Sequence, residues 1–419
     1  MDINQMLKGI NCSCGKTHAC PIKLVYVEDG AISKLGEVLK DFNKILLVAD
    51  ENTFVAAGEK VKKELSNKIV KQVVFSGETV LIPNEQSIDR VKDNCKDIDF
   101  ILGIGSGVIQ DLCKYVSFVE KIPYAIVATA PSMDGYASSG AAMITGGMKV
   151  TYSAGLPYAI IADTDVLFNA PLDMIKAGYG DIIGKYSSLN DWKLSALVSG
   201  EYFCDYIYQT TMDMVKKTVS VADGLLKGDK NSIKVLTEAL IVVGILMSFA
   251  GNSRPASGSE HHLSHFFEIV GIVTDTPYFA HGTDVAYSTV ITAQIREQLI
   301  KMKFPKKIYR TTDEKLKEEL RSVYYSVADG CYNLQKKLGT YKNNRIDVYL
   351  EKEEKIKEIL KEMPSAKEIE RLLALVKLDI KEYYALYGKE KINNAKSYAK
   401  DLKDRYTVLW LNYDLNGVR

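Results

Sequence analysis

The chain has 419 residues, of which 47% are hydrophobic and 26% charged, and its formal net charge at pH 7 is +1. This length exceeds one typical core and predicts two domains, while the small charge gives no basic field for binding nucleic acid. No apolar run approaches the roughly 20 residues that span a bilayer, so we expect no membrane insertion. The seven cysteines are an odd number, and the N-terminus lacks the features of a secretory signal. Both points predict a cytoplasmic protein.

The first part of the chain alternates between short β-branched runs and amphipathic segments. Strands are predicted at "IKLVYV" (22–27), "KILLVAD" (44–50), "IVKQVVFS" (69–76), "DIDFILGIG" (97–105) and "YAIVAT" (124–129). Alternation of this kind is typical of βαβ units, which form a mostly parallel sheet with helices on both faces. We therefore predict a Rossmann-like α/β domain over residues 1–170.

After Pro171 the periodicity is almost wholly helical. The segment "TEALIVVGILMSFAG" is apolar on nearly every side and predicts a central buried helix. We therefore predict an all-helical domain over residues 171–419, with the active site in the cleft between the two domains.

A glycine-rich loop, "GIGSGVIQD" (103–111), follows a predicted strand and opens a predicted helix. Gly105 and Gly107 would let backbone N–H groups approach a phosphate at the helix N-terminus. The spacing is not G-x-G-x-x-G, and the alternative is a turn that binds no ligand. Asp50 ends a strand where its carboxylate could accept hydrogen bonds from the two ribose hydroxyls, or could simply cap the next helix.

The segment "TAPSMDGYASSGAAM" (129–143) also follows a strand and is rich in small and hydroxyl-bearing residues. Such a loop could follow a pyrophosphate or hold a polyol through Asp134. A plain connecting loop fits the composition equally well.

Three of the five histidines lie in "RPASGSEHHLSH" (254–265), and His281 follows shortly after. His261 and His265 are four apart and share one helical face, whereas His262 points about 100° away. A catalytic divalent metal needs three protein ligands and an open position. Asp181, flanked by glycines, is the best candidate for a carboxylate ligand and Asp191 the second. The alternative is a set of surface and core histidines with no metal.

The N-terminal segment "NCSCGKTHAC" (11–20) holds Cys12, Cys14, His18 and Cys20. A structural zinc site is one interpretation, but C-x-C is tighter than the usual spacing and no second ligand pair completes it. The favoured interpretation is a compact reduced turn.

The motifs "GIGSGVIQDLCKY", "TAPSMDGYAS", "GYGDIIGKYSSLNDW", "RPASGSEHHLSH" and "AHGTDVAYST" occur in one order between residues 100 and 290. Together they resemble the iron-containing alcohol dehydrogenase and dehydroquinate synthase superfamily. Within it, the chain is most similar to the sn-glycerol-1-phosphate dehydrogenase family, particularly its bacterial branch. The likeness extends to "CSCGKTH" near the N-terminus and to the closing "RYTVLWLNYDL".

The resemblance implies a role for each matching position. The implied metal ligands are Asp181, His261 and His281, holding one Zn, Ni or Fe ion. The implied substrate contacts are Asp134, Asp181 and His265, with Asp134 and His265 taking part in catalysis. The implied contacts to NAD(H), and possibly NADP(H), are Asp50, Gly105, Gly107, Val108, Ile109, Gln110, Asp111, Thr129, Ala130, Pro131, Ser132 and Ser138.

The implied reaction is the reversible, metal-dependent reduction of dihydroxyacetone phosphate to sn-glycerol 1-phosphate, which feeds glycerophospholipid synthesis. Its phosphate needs cations, and Arg254 and Lys185 are the best placed by sequence. The alternatives are a dehydrogenase for an unphosphorylated polyol such as glycerol, a dehydroquinate-synthase-like lyase, or a metallohydrolase that uses no nucleotide. We expect a homodimer or a higher homo-oligomer.

Overall fold

A computed structural model describes residues 2–146 and 148–417 of the chain. Its strands, in chain order, are β1 (Ile10–Asn11), β2 (Thr17–His18), β3 (Leu24–Glu28), β4 (Lys44–Asp50), β5 (Ile69–Phe75), β6 (Phe100–Gly105), β7 (Tyr124–Ala128), β8 (Gly140–Thr145), β9 (Met148–Ser153) and β10 (Ala159–Asp163).

The main sheet has six strands in the order β3-β10-β7-β6-β4-β5, and every neighbouring pair is parallel. The central strands β6, β7 and β10 are buried along their whole length, which explains their continuous apolar runs. The predicted parallel α/β sheet is confirmed. Strand β10 was not among the predicted strands.

The order of the strands reverses between β4 and β6. From β4 the chain moves outward to β5, and it then returns to place β6 on the other side of β4. In open α/β sheets, ligands bind beyond the carboxyl ends of the strands at such a switch point. Asp50 ends β4 and Gly105 ends β6, so both residues lie at this position.

The α-helices, in chain order, are α1 (Ile3–Leu7), α2 (Leu35–Val38), α3 (Glu51–Thr53), α4 (Glu59–Glu64), α5 (Glu85–Lys92), α6 (Gly107–Glu120), α7 (Thr164–Leu167), α8 (Leu172–Ser199), α9 (Asp205–Ser220), α10 (Ala222–Leu226), α11 (Lys230–Ala250), α12 (Ser259–Thr274), α13 (His281–Lys301), α14 (Asp313–Tyr324), α15 (Ala328–Leu338), α16 (Ile346–Glu351), α17 (Glu353–Lys361), α18 (Ala366–Ala374), α19 (Ile380–Tyr398) and α20 (Val408–Asn416). Short 3-10 turns lie at Ala31–Lys34, Asp134–Ala137, Tyr325–Val327, Thr340–Lys342 and Ala399–Leu402, and a π-helical turn lies at Phe54–Gly58. The predicted helical second half is confirmed.

Helix α11 is the predicted central apolar helix. The Asp229 side chain caps its first turn by accepting from the Ser232 N–H, and Gly251 ends the helix in the left-handed conformation. By length and composition alone this helix could cross a membrane, although the sequence analysis found no apolar run of that length. However, 78% of its apolar window is buried inside the protein. This burial is the pattern of a core helix in a soluble protein.

The chain divides into two compact units, Met1–Ile182 with Lys216–Ser253, and Ile183–Val215 with Arg254–Arg419. The predicted boundary after residue 170 follows the change in secondary structure, whereas these units divide within α8, within α9 and between α11 and α12. Helix α11, predicted as part of the helical domain, therefore belongs to the first unit.

Candidate active site

The glycine loop joins β6 to α6 and uses its glycines in two different ways. A Cβ at Gly105 would lie 2.5 Å from the Ile109 side chain, so packing of the helix against the strand requires glycine there. At Gly107, the first residue of α6, a Cβ would meet nothing closer than the Met133 side chain at 3.8 Å. Packing therefore does not require glycine at 107, and the phosphate contact predicted there stays a prediction.

The predicted contacts that follow in α6 are less accessible. Ile109 is buried, and the buried Gln110 donates through Nε2 to the Tyr136 carbonyl at 2.9 Å. Asp111 accepts from the Ala142 N–H at 3.1 Å and lies 3.3 Å from Lys114 Nζ. These side chains serve the fold. The Gly107 N–H donates to Ser106 Oγ at 2.6 Å, and Val108 is half-buried at the same helix N-terminus.

The second predicted loop, Thr129–Ser132, lies beside the first because β6 and β7 are neighbours. The Thr129 N–H donates to the Gly105 carbonyl at 3.1 Å, and the hydroxyl oxygens of Ser106 and Ser132 are 3.1 Å apart. Both loops therefore occupy the carboxyl edge of the sheet, next to the end of β4. Three adjacent strand ends thus bring the predicted dinucleotide residues together.

Asp50 serves as the cap of α3. Its Oδ1 accepts from the Thr53 N–H at 2.9 Å, while the Thr53 hydroxyl accepts from the Asp50 N–H at 3.1 Å. This reciprocal arrangement is a capping box. The structure thus establishes the helix-capping alternative at this position, and the ribose contact stays a prediction.

Lys114, which the sequence did not single out, organises the loop after β7. Its fully buried Nζ lies 2.7 Å from the Gly140 carbonyl, 3.2 Å from the Gly135 carbonyl and 3.3 Å from Ser138 Oγ. Burial lowers the pKa of this amine, and the nearby Asp111 opposes that effect. The feature of the sequence that could have identified Lys114 is its position three residues after Asp111 on a mostly apolar helix.

Asp134 begins the 3-10 turn in the same loop and is buried. Its N–H donates to Asp181 Oδ2 at 3.0 Å, so the loop after β7 is tied directly to α8. The close approach depends on Gly178 of α8, where a Cβ would overlap the Pro131 carbonyl oxygen.

The predicted metal ligands meet on three helices. Asp181 lies on α8, His261 on α12, and His281 is the first residue of α13. One ligand atom from each lies within 4.8 Å of the others, and Asp181 is fully buried. One carboxylate with two imidazoles fits Zn, Ni or Fe in donor type. The cluster is therefore a possible divalent metal site.

His265 borders this cluster. Its ring centroid is 5.6 Å from that of His281 and 6.1 Å from that of His261. His262 is fully buried, and burial holds its pKa well below the usual value. It does not belong to the metal-binding group found among the described residues, as its position on the helix predicted.

Glu260 provides a contact that sequence reasoning missed. Its Oε1 lies 2.8 Å from His261 Nδ1 and also accepts from the Gly258 N–H at 2.8 Å. A carboxylate on one ring nitrogen leaves the other to face a metal, as in carboxylate–histidine–metal triads. Burial raises the pKa of Glu260. The signal was its position directly before the first ligand histidine.

Asp191, the second candidate carboxylate, has a structural role. It pairs with Arg296 at 2.7 Å and accepts from the Ser259 N–H at 2.6 Å and the Val408 N–H at 2.9 Å. It therefore holds the start of α12.

The predicted phosphate cation Arg254 also has a structural role. The buried guanidinium contacts the Glu201 carboxylate through Nε at 2.7 Å and Nη2 at 2.5 Å, and Nη2 also donates to the Tyr406 carbonyl at 2.7 Å. This pairing argues against the predicted phosphate contact, because the cation is already matched by a carboxylate. Lys185 is fully buried on α8 and donates to the Ala256 carbonyl at 3.1 Å.

Comparison with known proteins identifies the family. A model of the family described as iron-containing alcohol dehydrogenase matches residues 26–171. Glycerol-1-phosphate dehydrogenase (NAD(P)+) of Geobacillus thermodenitrificans (strain NG80-2) is 36% identical over 277 residues, covering 64% of this chain and 69% of the relative. This chain belongs to the glycerol-1-phosphate dehydrogenase family.

Further comparisons agree with this membership. The glycerol-1-phosphate dehydrogenase (NAD(P)+) of Geobacillus stearothermophilus is 33% identical over 342 residues, covering 77% of this chain and 84% of the relative. The crystal structure of maleylacetate reductase from Rhizobium sp. strain MTP-10005 is similar in fold, with a TM-score of 0.62, 12% identity and coverage of 96% of this chain and 98% of that chain. The predicted family and two-domain fold are confirmed.

Proposed function

We propose that this member of the glycerol-1-phosphate dehydrogenase family reversibly reduces dihydroxyacetone phosphate to sn-glycerol 1-phosphate, for glycerophospholipid synthesis. It uses NAD(P)H and one divalent metal. The observation that carries the proposal is the convergence of Asp181, His261 and His281, in a chain whose relatives are named for this activity. This makes the chain an oxidoreductase that acts on a CH–OH group.

Asp181, His261 and His281 are the proposed metal ligands. These three residues would hold a divalent ion, which would supply Lewis acidity for the substrate oxygen. Glu260 fixes the ring of His261, because its carboxylate binds the Nδ1 side. The Asp134 N–H orients the carboxylate of Asp181 through Oδ2.

The proposed cofactor site lies at the switch point of the sheet. The N-terminus of α6 attracts the pyrophosphate through its helix dipole, the small residues of the loop after β7 leave room for it, and Asp50 takes the adenosine ribose. A carboxylate at this position accepts from ribose hydroxyls and repels a 2′-phosphate, so we expect a preference for NADH over NADPH.

His265 and Asp134 are the proposed catalytic residues that bind substrate. His265 lies beside the two ligand histidines and can exchange a proton with the substrate hydroxyl, directly or through a water. Asp134 holds a second hydroxyl, since its backbone is fixed against the ligand Asp181. Orienting both ends of a three-carbon substrate determines which face of the carbonyl accepts hydride.

Lys185 is the proposed phosphate cation. One observation favours the second candidate, a dehydrogenase for unphosphorylated glycerol: Arg254, the other predicted cation, is committed to Glu201. Lys185→Met is therefore expected to lower kcat/KM for dihydroxyacetone phosphate about tenfold or more, with bound metal unchanged. An equal fall with glycerol and NAD+ would remove Lys185 from phosphate recognition.

The deciding experiment follows NADH absorbance with dihydroxyacetone phosphate, and NAD+ reduction with glycerol. We expect rapid NADH oxidation with dihydroxyacetone phosphate, and a product that an sn-glycerol-3-phosphate-specific dehydrogenase does not oxidise. Faster turnover of glycerol would favour the polyol dehydrogenase. No net nicotinamide chemistry with either substrate would point to the lyase or the hydrolase.

The remaining proposals concern the state of the protein in the cell. We expect a cytoplasmic homodimer or higher homo-oligomer that binds neither nucleic acid nor membrane. Light scattering on the purified protein measures the assembly, and fractionation of cells measures the location.

A further inference from the structure

The N-terminal hairpin carries a second group of metal-binding side chains. Strands β1 and β2 pair antiparallel with Ile10 opposite His18, and Cys12 and Cys14 lie in the connecting turn. The Cys12 N–H donates to the Lys16 carbonyl at 3.0 Å, and the Gly15 N–H donates to the Cys12 carbonyl at 3.0 Å. This turn folds the chain back so that Cys14 Sγ lies 3.5 Å from His18 Nε2.

A fourth ligand comes from a distant part of the sequence. Cys204, which directly precedes α9, joins Cys12, Cys14 and His18 in a group whose ligand atoms all lie within 4.8 Å of one another. The local spacing failed to predict this site because the completing sulfur lies 186 residues beyond His18 in the sequence. Cys20, which the sequence grouped with the others, is buried outside this set.

The orientation of His18 fits metal binding. Its Nδ1 lies 3.1 Å from the Phe249 carbonyl oxygen, and its buried ring stacks on the Phe249 ring at 5.3 Å with an interplanar angle of 12°. A carbonyl only accepts hydrogen bonds, so Nδ1 carries the proton and Nε2 presents its lone pair toward the sulfur of Cys14. Ligand histidines in metalloproteins are fixed by a partner of this kind.

The chemistry of the four groups selects the ion. Three sulfurs and one imidazole nitrogen match the Cys₃His set of tetrahedral structural zinc sites. The seven cysteines, all of them within the described ranges, form no disulfide. We propose that Cys12, Cys14, His18 and Cys204 bind one structural zinc ion, separate from the proposed catalytic metal.

The hairpin also explains what such an ion would do. Each strand has only two residues, and a two-stranded ribbon of that size is not stable by itself in water. Zinc binding releases the three thiol protons to solvent and joins the hairpin to the segment at Cys204, so its binding free energy stabilises the fold. The site is closed by four protein ligands and leaves no position for substrate.

Cobalt substitution of the full-length protein tests the proposal. Thiolate ligands give intense near-ultraviolet charge-transfer absorption with Co²⁺, whereas the carboxylate and imidazoles of the proposed catalytic centre do not. We expect these bands in the wild-type protein, together with the visible bands of tetrahedral Co²⁺. We also expect a mercurial thiol reagent to release one zinc ion per chain from the zinc-loaded protein.

Single variants identify the ligands. Cys14→Ser and Cys204→Ser are each expected to weaken the charge-transfer bands by about a third, because each removes one of three thiolates, and to lower the melting temperature. Cys20→Ser is the matched control from the same segment and is expected to keep the full spectrum. If a ligand variant does not fold, the wild-type spectrum still decides. Cobalt-loaded wild-type protein without thiolate bands would overturn the proposal, and so would full bands in both ligand variants.

Discussion

Replacing Glu260 measures how much the carboxylate behind His261 contributes to the proposed catalytic metal centre. Its Oε1 accepts the Gly258 N–H and binds the Nδ1 side of His261, both at 2.8 Å. Removal of such a partner in metalloproteins lowers metal affinity about 10- to 100-fold. That range corresponds to about 1.4–2.7 kcal/mol of binding free energy.

Two substitutions divide this contribution. Glu260→Gln keeps an oxygen that accepts both hydrogen bonds but removes the negative charge that makes the imidazole more basic, so we expect a loss of about tenfold. Glu260→Ala also removes the acceptor and leaves two buried N–H groups without it, so we expect a loss nearer 100-fold.

The assay restores turnover to metal-free enzyme in chelator-buffered zinc and records the free metal concentration that gives half of the maximal rate. Because the affinity is measured through turnover, zinc that binds to the thiolate site of the hairpin does not contribute to the value. The control is Glu297→Gln on α13, whose carboxylate accepts one hydrogen bond from the Ala366 N–H at 2.9 Å. If folded Glu260→Ala protein needs the same free metal concentration as the wild type to reach half of its maximal rate, the proposed role of Glu260 is refuted. An equal shift in the control would reduce the effect to general destabilisation.

Three further predictions concern the same protein. The single substitutions Asp181→Asn, His261→Ala and His281→Ala should each abolish turnover and lower the amount of bound metal, whereas His262→Ala should retain the metal. Normal metal content and a normal rate in a ligand variant would exclude that residue as a ligand. Asp50→Ser should narrow the preference for NADH, mostly through the KM for cofactor, and a wild type that uses NADPH better would limit Asp50 to capping α3. Arg254→Ala should lower the free energy of unfolding by about 1.5–3 kcal/mol, because charged hydrogen bonds to Glu201 are lost. Chemical denaturation measures this, and a selective loss of activity with dihydroxyacetone phosphate at unchanged stability would restore the phosphate role.

Local patterns predicted the sheet well. Strand β4 spans Lys44–Asp50, the residues predicted, and β5 ends one residue earlier than predicted. The central strands β6 and β7 left the strongest signal, because both of their faces are covered and their sequences contain no charged residue. The histidine cluster was equally visible in the sequence, since His261 and His265 lie one helical turn apart on α12.

Long-range pairing was not predictable in the same way. The partner of Arg254 is Glu201, 53 positions earlier in the chain, and the last member of the hairpin site is Cys204. Nothing in the local spacing of either segment specifies those contacts, because they depend on how distant elements pack. Glu260 was visible in the sequence, but its role depends on which way the helix turns its carboxylate.

At Gly107, where a side chain would meet no close neighbour, the demands of thermal stability and of the proposed cofactor binding oppose each other. Alanine there would fit without a clash and would lose less backbone freedom on folding than glycine does. Selection for thermal tolerance alone would therefore accept the substitution, although in the proposed cofactor site the added methyl group would lie where the pyrophosphate approaches the helix. With the cofactor site as proposed, engineering that ranks variants of this enzyme only by melting temperature would select proteins that are more stable and bind the nucleotide less well.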